Sequence, residues 1–502
     1  MKYVLTNAQM RAADKYTIEE VGEPSLALME RAGIALADEA ETIAPRGRIV
    51  CVCGGGNNGG DGFVCARQLL KRDRDVEAVF LPCKTSPECE INRSEFEMLG
   101  GKIGNRLPEG KIALVVDCLF GTGFHGELDE KAAELVLEIN AMKARGVKIL
   151  SADVPSGVNG ENGFAARETV EADVTLCIGE LKTGVFLNDG IDFSGTPKRA
   201  DIGIFLPQVD EYAQLVERED VRKLLPKRKR NSHKGTYGKA AIVAGSDEYS
   251  GAAYLAVKAA LRSGVGYTTL FTPEAVLPHY LLKAPEALLE PLNEGGRVAF
   301  NEENFEKLLS YDAIAYGMGM GLCEDAYLGV KYLLENYTGK LILDADALNA
   351  LAKFGKAEMQ TLFEKKRCFV VMTPHIKEFS RISDLTVTEI LSAGAAAAKP
   401  FAKAYGVTVL LKNAVTTVTD GEKVYLSIAG TAGQAKGGSG DALSGVIAGL
   451  CASGLSVADG AIAGAYLAGT AAEFAAREYG EYSLLATDVI EKLGAAFLSL
   501  SK

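Results

Sequence analysis

The feature that most constrains the fold is an alternation of short, β-rich apolar runs with amphipathic helical patterns, which begins at residue 48. This alternation is typical of βαβ units, which build a mostly parallel sheet covered by helices. Thr6 is a plausible N-cap for a helix that precedes the first strand. The pattern predicts strands over 48–53, 75–81, 111–117, 147–153, 173–178 and 199–205, with helices such as 62–72, 88–99 and 130–145 between them.

A second alternation begins at Lys239 and continues to a helical C-terminus. Its motifs come in a different order from those of the first half, so the chain reads as two different α/β folds joined, without internal duplication. The second set of strands is predicted at 239–243, 266–271, 312–317, 340–344, 368–373 and 407–412.

The polar stretch from Pro207 to Arg230 separates the two halves and ends in a basic run, residues 226–230. Such a run could serve as a nuclear signal or a nucleic-acid patch. We favour a solvated linker or a phosphate-facing rim.

Composition narrows the class of ligand. The formal net charge is −12, so the chain would repel nucleic acid phosphates. Any phosphate site must therefore be formed locally, by loops and a few Lys or Arg side chains. Most of the 10 Cys lie in apolar runs, as expected in a reducing compartment, and neither they nor the 4 His have the spacing of a metal site. The longest apolar stretch, residues 460–476, reads as a buried helix and not as a membrane span. We therefore expect a cytoplasmic enzyme for a small molecule, a homo-oligomer that binds neither nucleic acid nor membrane.

The first strand runs into a glycine-rich turn, residues 54–62, and then directly into a helix. That order presents backbone N–H groups and the helix dipole to an anion. The turn lacks both the three spaced glycines of the dinucleotide fingerprint and the Lys-Ser/Thr of a P-loop. It therefore indicates a phosphate without naming the nucleotide.

Two further segments end strands at the same predicted edge: residues 117–127, which start with Asp117, and residues 153–157, which start with Asp153. Carboxylates at two strand ends beside a glycine loop suggest acid/base chemistry or cation binding. The alternative is that each Asp merely caps a helix or a turn.

Together with Leu28-Met29-Glu30-Arg31-Ala32-Gly33, the run Gly56-Asn57-Asn58-Gly59-Gly60-Asp61-Gly62 resembles the NAD(P)H-hydrate epimerase family over about the first 210 residues. The resemblance implies a Rossmann-like doubly wound domain over 1–213, which interconverts the R and S forms of NADHX and NADPHX without a redox cofactor. It implies acid/base work for Asp153 and K⁺ binding by Asn58, Asp117 and Ser156. It assigns the substrate to Asn57, Asn58, Gly59, Gly60, Asp61, Gly121, Thr122, Gly123, Phe124, His125, Gly126, Glu127 and Asp153.

Near the C-terminus, Lys436-Gly437-Gly438-Ser439-Gly440-Asp441 opens an Ala/Gly-rich helix. Backbone N–H groups at such a start can hold a phosphoryl group in flight, and an Asp there can accept a hydroxyl proton. Tight helix packing is the alternative explanation. Four other segments bring small or polar residues to strand ends, at 245–253, 317–321, 344–349 and 373–379, and Lys412 follows a fifth strand.

This set resembles the ribokinase-like superfamily and, within it, the ADP-dependent NAD(P)H-hydrate dehydratases, over roughly 220–500. Met318, Met320 and Ala442 depart from the residues usual there. The resemblance implies a domain over 214–502 that phosphorylates the ring hydroxyl of S-NAD(P)HX with ADP, after which phosphate leaves and NAD(P)H is restored. It gives the base to Asp441, the anion hole to Gly438, Ser439 and Gly440, and Mg²⁺ to the phosphates. It assigns the hydrate to Ala252, Gly319, Gly321, His375 and Asp441, and ADP or AMP to Lys412, Asn413, Ala414, Val415, Thr416 and Gly440.

Two alternatives stay open at this point. The same Gly-Ser-Gly-Asp motif would serve an ATP-dependent ribokinase-like kinase of another small molecule. The N-terminal half could be a nucleotide-binding or scaffold module without catalysis, although Asp117 and Asp153 argue against that.

The role of His375 is also open. It is either a helix cap or a contact to the hydrate, and we favour the contact.

Overall fold

The computed structural model describes residues 2–207 and 212–501. Its contacts divide the chain into two compact units, Lys2–Tyr212 and Ala213–Lys502. No helix within the described ranges is long and apolar enough to cross a membrane.

The N-terminal unit is built on a parallel sheet. Its strands are β1 (Lys2–Leu5), β2 (Arg48–Cys53), β3 (Val76–Phe80), β4 (Lys102–Gly104), β5 (Ile112–Cys118), β6 (Lys148–Ala152), β7 (Val174–Ile178), β8 (Leu181–Lys182) and β9 (Thr196–Ala200). The helices are α1 (Asn7–Glu19), α2 (Ser25–Ile43), α3 (Asn57–Lys71), α4 (Pro87–Met98), α5 (Glu130–Ala144) and α6 (Gly190–Phe193).

Seven of these strands lie in the order β4-β3-β2-β5-β6-β7-β9, and β1 pairs in parallel with β8. The order reverses between β2 and β5, which makes their carboxyl ends the expected place for a ligand. Helices cover both faces, so alternate residues of one strand enter two cores: Cys51 packs with α2 and α3, whereas Val50 and Val52 pack with α5. Burial on both faces explains the nearly continuous apolar runs in the sequence.

The C-terminal unit contains a larger mixed sheet. Its strands are β10 (Ala213–Leu215), β11 (Lys239–Val243), β12 (Tyr267–Thr272), β13 (Leu288–Pro291), β14 (Ala313–Tyr316), β15 (Lys340–Leu343), β16 (Phe369–Met372), β17 (Thr408–Leu411), β18 (Thr416–Thr419) and β19 (Val424–Ser427). Its helices are α7 (Arg218–Leu224), α8 (Ser250–Leu261), α9 (Glu302–Leu308), α10 (Glu324–Asn336), α11 (Asp346–Phe354), α12 (Lys356–Lys365), α13 (Ile376–Ser383), α14 (Val387–Ala393), α15 (Lys399–Tyr405), α16 (Ser439–Ala452), α17 (Val457–Tyr479) and α18 (Ala486–Ser499).

The strands β13-β12-β11-β14-β15-β16-β17 are parallel neighbours, and β18 and β19 follow in antiparallel order. One face packs against α8, α16, α17 and α18, and the other packs against α10, α11 and α12. The mixed α/β class predicted from the alternation is thereby confirmed for both units. Helix α17 contains the apolar stretch at 460–476, and most of its apolar residues are buried.

Two predictions were wrong in detail. The strand expected over 199–205 is Thr196–Ala200, because an edge strand tolerates exposed polar residues, while Ile202 packs into the core without strand pairing. The stretch from Pro207 to Arg230 is not a simple linker, since β10 and α7 form within it around the buried Leu215 and Val221. Gln208 to Glu211 lie outside the described residues, and the basic residues 227–230 are exposed.

Candidate functional sites

The N-terminal site forms where β2 ends and α3 begins. Gly56 is the N-cap of α3, and both Gly56 and Asn57 are exposed, so the first N–H groups of this helix are open to an anion. Gly59 has a steric reason to be glycine, because a Cβ there would collide with the carbonyl oxygen of Gly54. The turn is therefore closely packed at Gly59, whereas the first N–H groups of α3 are open to a ligand.

Asp117 lies at the end of β5 and is completely buried. Its Oδ1 accepts hydrogen bonds from Ser156 Oγ at 2.6 Å and Leu119 N at 3.3 Å, and its Oδ2 accepts from Ser151 Oγ at 2.8 Å and Ser156 N at 2.9 Å. Burial raises the pKa of Asp117, and the bonds from Ser156 and Ser151 oppose that rise. The carboxyl thus ties together the ends of β5 and β6.

Asn58 stands next to this cluster with one polar atom unused. Its Nδ2 donates to the Phe120 carbonyl at 2.9 Å, whereas its Oδ1 is buried without a hydrogen-bond partner. Ser156 Oγ also lies 3.3 Å from the Phe120 oxygen. Amide, hydroxyl and carbonyl oxygens are therefore grouped at one point, the chemistry that hard cations prefer.

Residues 121–127 form a loop beside these groups. Asn7 Nδ2 donates to the Thr122 carbonyl at 2.8 Å, and Phe124 packs on Phe120 with ring centroids 5.7 Å apart. His125 and Glu127 are exposed, with His125 Nδ1 3.3 Å from Asn159 Nδ2. The contacts with Asn7 and Phe120 therefore hold the loop, while the side chains of His125 and Glu127 are exposed.

Asp153 follows β6 with a positive φ of 69°, a region that a non-glycine residue rarely adopts. Its Oδ1 accepts a hydrogen bond from Ile178 N at 3.2 Å and lies 2.5 Å from Lys182 Nζ. Sequence reasoning missed Lys182, although a single lysine amid Leu181, Val185, Phe186 and Leu187 was a signal of a buried cation.

The C-terminal site gathers at the carboxyl ends of the parallel strands. Asp344, after β15, is buried; its Oδ1 lies 2.8 Å from Lys412 Nζ, and its Oδ2 accepts a hydrogen bond from Ser444 Oγ at 2.7 Å. Burial opposes the charge of Lys412, but Asp344 and Glu378 outweigh it, so the pKa of Lys412 is raised. Ser444 was not among the predicted residues, because one serine inside an apolar helix carries little sequence signal.

Helix α16 begins beside this ion pair. Gly438 is its N-cap with φ 96°, and Asp441 lies in its first turn. A Cβ on Gly440 would lie 3.2 Å from Lys412 Nζ. Burial, together with the nearby Asp344 carboxylate, raises the pKa of Asp441 to about 6, while Lys412 lowers it.

Ser439 Oγ donates to the Gln434 carbonyl at 2.9 Å, so the anion hole predicted at this helix start would have to be formed by backbone groups. Gly437 has open space around its Cα. Asn413 and Ala414 are exposed beyond β17, and Thr416 is partly exposed, whereas Val415 is buried and can offer a ligand only its backbone.

Glycines fix the loop after β14. Gly317 has φ 123°, and a Cβ there would collide with the Asp344 carbonyl oxygen. Gly319 packs against Tyr249 and Ala252, and Gly321 N donates to Asp346 Oδ2 at 2.8 Å. These contacts bring three of the predicted hydrate-binding residues (Ala252, Gly319 and Gly321) to one loop cluster.

His375 is a helix cap in the structure. Its Nδ1 accepts hydrogen bonds from Lys377 N at 3.1 Å and Glu378 N at 3.3 Å. Burial and the Lys412 charge lower the pKa of His375, while burial raises that of Glu378. With Nδ1 occupied by N–H groups, the neutral ring carries its proton on Nε2, which remains available to a ligand because the side chain is 48% exposed.

Two family models match this chain. A model described as NAD(P)H-hydrate dehydratase matches residues 240–494, and one described as YjeF-related protein N-terminus matches residues 25–184. Each match falls within one of the two compact units.

Several curated relatives match along nearly the whole chain. The bifunctional NAD(P)H-hydrate repair enzyme Nnr of Moorella thermoacetica is 33% identical, covering 98% of this chain and 96% of the relative. The enzyme of the same name from Escherichia coli K12 is 31% identical, with coverages of 96% and 92%.

Solved structures match the C-terminal unit. The ADP/ATP-dependent NAD(P)H-hydrate dehydratase of Bacillus subtilis, co-crystallised with ATP and Mg²⁺, is 32% identical, with a TM-score of 0.50, and the match covers 57% of this chain and 99% of that chain. A ribokinase-like superfamily protein of Enterococcus faecalis is 25% identical, with a TM-score of 0.50 and coverages of 59% and 98%.

Proposed function

This chain belongs to the bifunctional NAD(P)H-hydrate repair enzymes, and we propose that its two polar clusters divide the repair between them. The enzyme epimerises R- and S-NAD(P)HX and dehydrates S-NAD(P)HX to NAD(P)H at the expense of a nucleotide. We assign epimerisation to residues 1–213 and dehydration to 214–502. The division of contacts between Tyr212 and Ala213 supports this boundary.

In the epimerase site, the open start of α3 would bind the phosphate-bearing part of the hydrate. Backbone N–H groups of residues 57–61 suit this task, and the loop 121–127 would close the other side. Asp153 would take up the proton of the ring hydroxyl as the bond between that carbon and the ring nitrogen opens to give a carbonyl group, and would return the proton when the nitrogen closes on the opposite face, which inverts the carbon. Holding the phosphate tail fixes the reacting carbon at that carboxylate.

The donor set near Asn58 fits a potassium ion. Its buried Oδ1 has no hydrogen-bond partner, and Ser156 Oγ and the Asp117 carboxylate belong to the same cluster. When bound, K⁺ supplies a fixed positive charge beside the substrate phosphates. Asn58, Asp117 and Ser156 would hold it.

In the dehydratase site, Asp441 would accept the proton of the ring hydroxyl while that oxygen attacks the terminal phosphorus of ADP. Backbone N–H groups at Gly438, Ser439 and Gly440 would stabilise the charge on the moving phosphoryl group. Lys412 to Thr416, with Gly440, would hold the nucleotide. AMP would leave as the ring oxygen takes the phosphoryl group, and phosphate would then leave the ring together with a proton from the neighbouring ring carbon, which restores the double bond of NAD(P)H.

Nucleotide and magnesium use by this unit is supported by the dehydratase co-crystallised with ATP and Mg²⁺. The ion supplies charge neutralisation on the phosphates. ADP is the donor we propose, with ATP as the competing donor.

The hydrate itself would lie against Ala252, Gly319 and Gly321, with His375 Nε2 within its reach. The cap role of His375 is compatible with this contact, since Nδ1 accepts the hydrogen bonds of the helix start, whereas Nε2 lies 3.6 Å from Glu378 Oε1, beyond hydrogen-bond distance. Dual use of one imidazole explains why a histidine stands at a capping position.

The observation that carries the dehydratase assignment is the convergence of Asp441, the start of α16 and the Asp344–Lys412 pair at one sheet edge. The test supplies purified enzyme with NADHX, Mg²⁺ and either ADP or ATP. Return of NADH absorbance with AMP and phosphate as products is expected. Accumulation of a stable phosphorylated product with ATP would instead favour a small-molecule kinase.

We also propose that the enzyme is a cytoplasmic homo-oligomer. Its cysteines are free and, among those described, mostly buried, which suits a reducing compartment. Sedimentation analysis of the purified chain would measure the assembly, and a monomer at all concentrations would contradict it.

A further inference from the structure

Lys182 is a buried cation that the proposed mechanism leaves without a task. Its side chain is only 1% exposed, although it belongs to the short strand β8 at the carboxyl-end side of the N-terminal unit. An ammonium group removed from water is costly unless it is paired and hydrogen-bonded. Lys182 Nζ meets both conditions, lying 2.5 Å from Asp153 Oδ1 and donating to the Ile178 carbonyl.

The same contacts fix Asp153 from one side. Ile178 N donates to Oδ1 at 3.2 Å, so Oδ1 is shared between an amide and an ammonium group. Among residues 2–207 and 212–501, the polar contacts of the Asp153 side chain are those of Oδ1. The left-handed backbone of Asp153 directs its carboxylate into this arrangement, and strained residues persist where the surroundings over-determine them.

Two more carboxyl groups face the pair from other elements. Asp14 approaches from α1 and Asp61 from the first turns of α3, and both interact electrostatically with Asp153 and Lys182. Burial raises the pKa of Asp14 to about 6, with Lys182 opposing and Asp153 adding to the rise. Burial, and next the Asp153 charge, raise the pKa of Asp61 well above its ordinary value.

The remaining neighbours are Cys177 from β7 and Glu180 from the turn before β8. Burial raises the pKa of the Cys177 thiol to about 11, and burial likewise raises the pKa of Glu180. Lys182 opposes both shifts. The Lys182 ammonium group therefore interacts electrostatically with three aspartates, Asp14, Asp61 and Asp153. Of these three, Asp153 is the one in direct contact with it.

Like-charged carboxyl groups in one site push each other towards different protonation states. Lys182 acts on them unequally, because its charge is in contact with Asp153, whereas it only opposes the raised pKa of Asp14 and Asp61 electrostatically. A site that needs a base at a defined place is served by such a difference.

We propose that Lys182 is a positioning residue of the epimerase site, whose buried ammonium group places a positive charge against Asp153 and holds its Oδ1 while Oδ2 handles the substrate proton. This rests on the proposed role of Asp153 in epimerisation. Lys182 itself touches neither the hydrate nor its proton.

The test compares the full-length Lys182→Met chain with wild type, using chromatographic separation of R- and S-NADHX from pH 5 to pH 9. Methionine keeps the bulk of the side chain and removes the charge. The acid limb of the epimerisation profile is expected to move upward by about one pH unit, with a loss that approaches about tenfold at pH values below both midpoints and recovery towards wild type at pH 9.

Lys198→Met is the matched control. Lys198 belongs to the same unit, is 43% exposed and pairs with Glu39 at 2.7 Å. Its loss is expected to leave the acid limb within about half a pH unit of wild type. An unchanged limb in Lys182→Met, or a loss of equal size at every pH, would overturn the positioning role.

Lys182→Gln keeps the proposal testable even where Lys182→Met does not fold, because the glutamine amide can still donate to the Ile178 carbonyl while the charge is removed. The same upward displacement of the acid limb is expected, and an unchanged limb would overturn the proposal. A wild-type chain that does not interconvert the epimers at all would instead remove the proposed epimerase function.

Discussion

Lys412 and Asp344 form an ion pair, with Nζ 2.8 Å from Oδ1, beside the helix start that carries Asp441. The pair has opposite effects on Asp441: the Asp344 carboxylate raises its pKa, and the Lys412 ammonium lowers it. Burial is the largest cause of the rise, and with these two charges it gives Asp441 a pKa of about 6. Such a group is ionised at neutral pH and still basic enough to accept a proton in a transition state.

Replacing Asp441 with Asn is expected to lower the dehydratase rate by about 10²–10⁴-fold, the usual contribution of a general base. Epimerisation of R-NADHX by the same chain should stay within about twofold of wild type, because the two activities use different clusters. NADH absorbance measures the first activity, and chromatography of the epimers measures the second. Loss of both activities in a folded chain would contradict the two-site assignment.

The pH profile of the dehydratase should have an acid limb near pH 6. The folded-state pKa of Asp441 is raised to about 6, so the base becomes protonated and the rate falls as pH drops through that value. Initial rates with S-NADHX and saturating ADP from pH 5 to pH 8 would locate the limb. A rate independent of pH between 5 and 7 would exclude Asp441 as the base.

The sequence predicted the functional residues at the strand ends better than the buried residues that contact them. Thr6 caps α1 with the full capping box to Gln9, as its position indicated. The glycine-rich turns and the aspartates at the strand ends could be predicted because the carboxyl ends of parallel strands lie at one edge of the sheet. Lys182 and Ser444 were missed, since their partners lie far along the chain and only the fold brings them together.

Helix α7 is another element that the sequence alone did not predict. Its segment reads as a polar linker because Arg218, Glu219 and Lys223 dominate its composition. Only Val221 and Asp220 are buried, and the helix is stabilised by tertiary packing that composition does not reveal. His375 likewise could not be resolved as a cap or a contact from its neighbours in sequence.

Potassium dependence of the epimerase should rest on Asn58. Its Oδ1 is the buried oxygen without a partner, and a cation bound there would satisfy it. Asn58→Ala is expected to raise the K⁺ concentration for half-maximal epimerisation by about tenfold or more, since loss of even an outer-shell partner of a metal site typically costs about 10–100-fold in affinity. The titration replaces K⁺ with tetramethylammonium at constant ionic strength. Equal K⁺ titrations for the two chains would exclude Asn58 as a ligand.

Gly317 and Gly454 offer a matched test of how the dehydratase loop is held. Both have a positive φ, 123° and 117°, so alanine at either position strains the backbone by about 1–3 kcal/mol. Only at Gly317 would the new methyl group also meet the Asp344 carbonyl and Ala347, whereas the space around Gly454 is open. Gly317→Ala should therefore lose about 1–3 kcal/mol more unfolding free energy than Gly454→Ala, and KM for S-NADHX should rise in Gly317→Ala alone. Denaturant unfolding and initial rates measure the two effects, and equal losses in the two variants would show that the close approach of β14 and β15 does not shape the site.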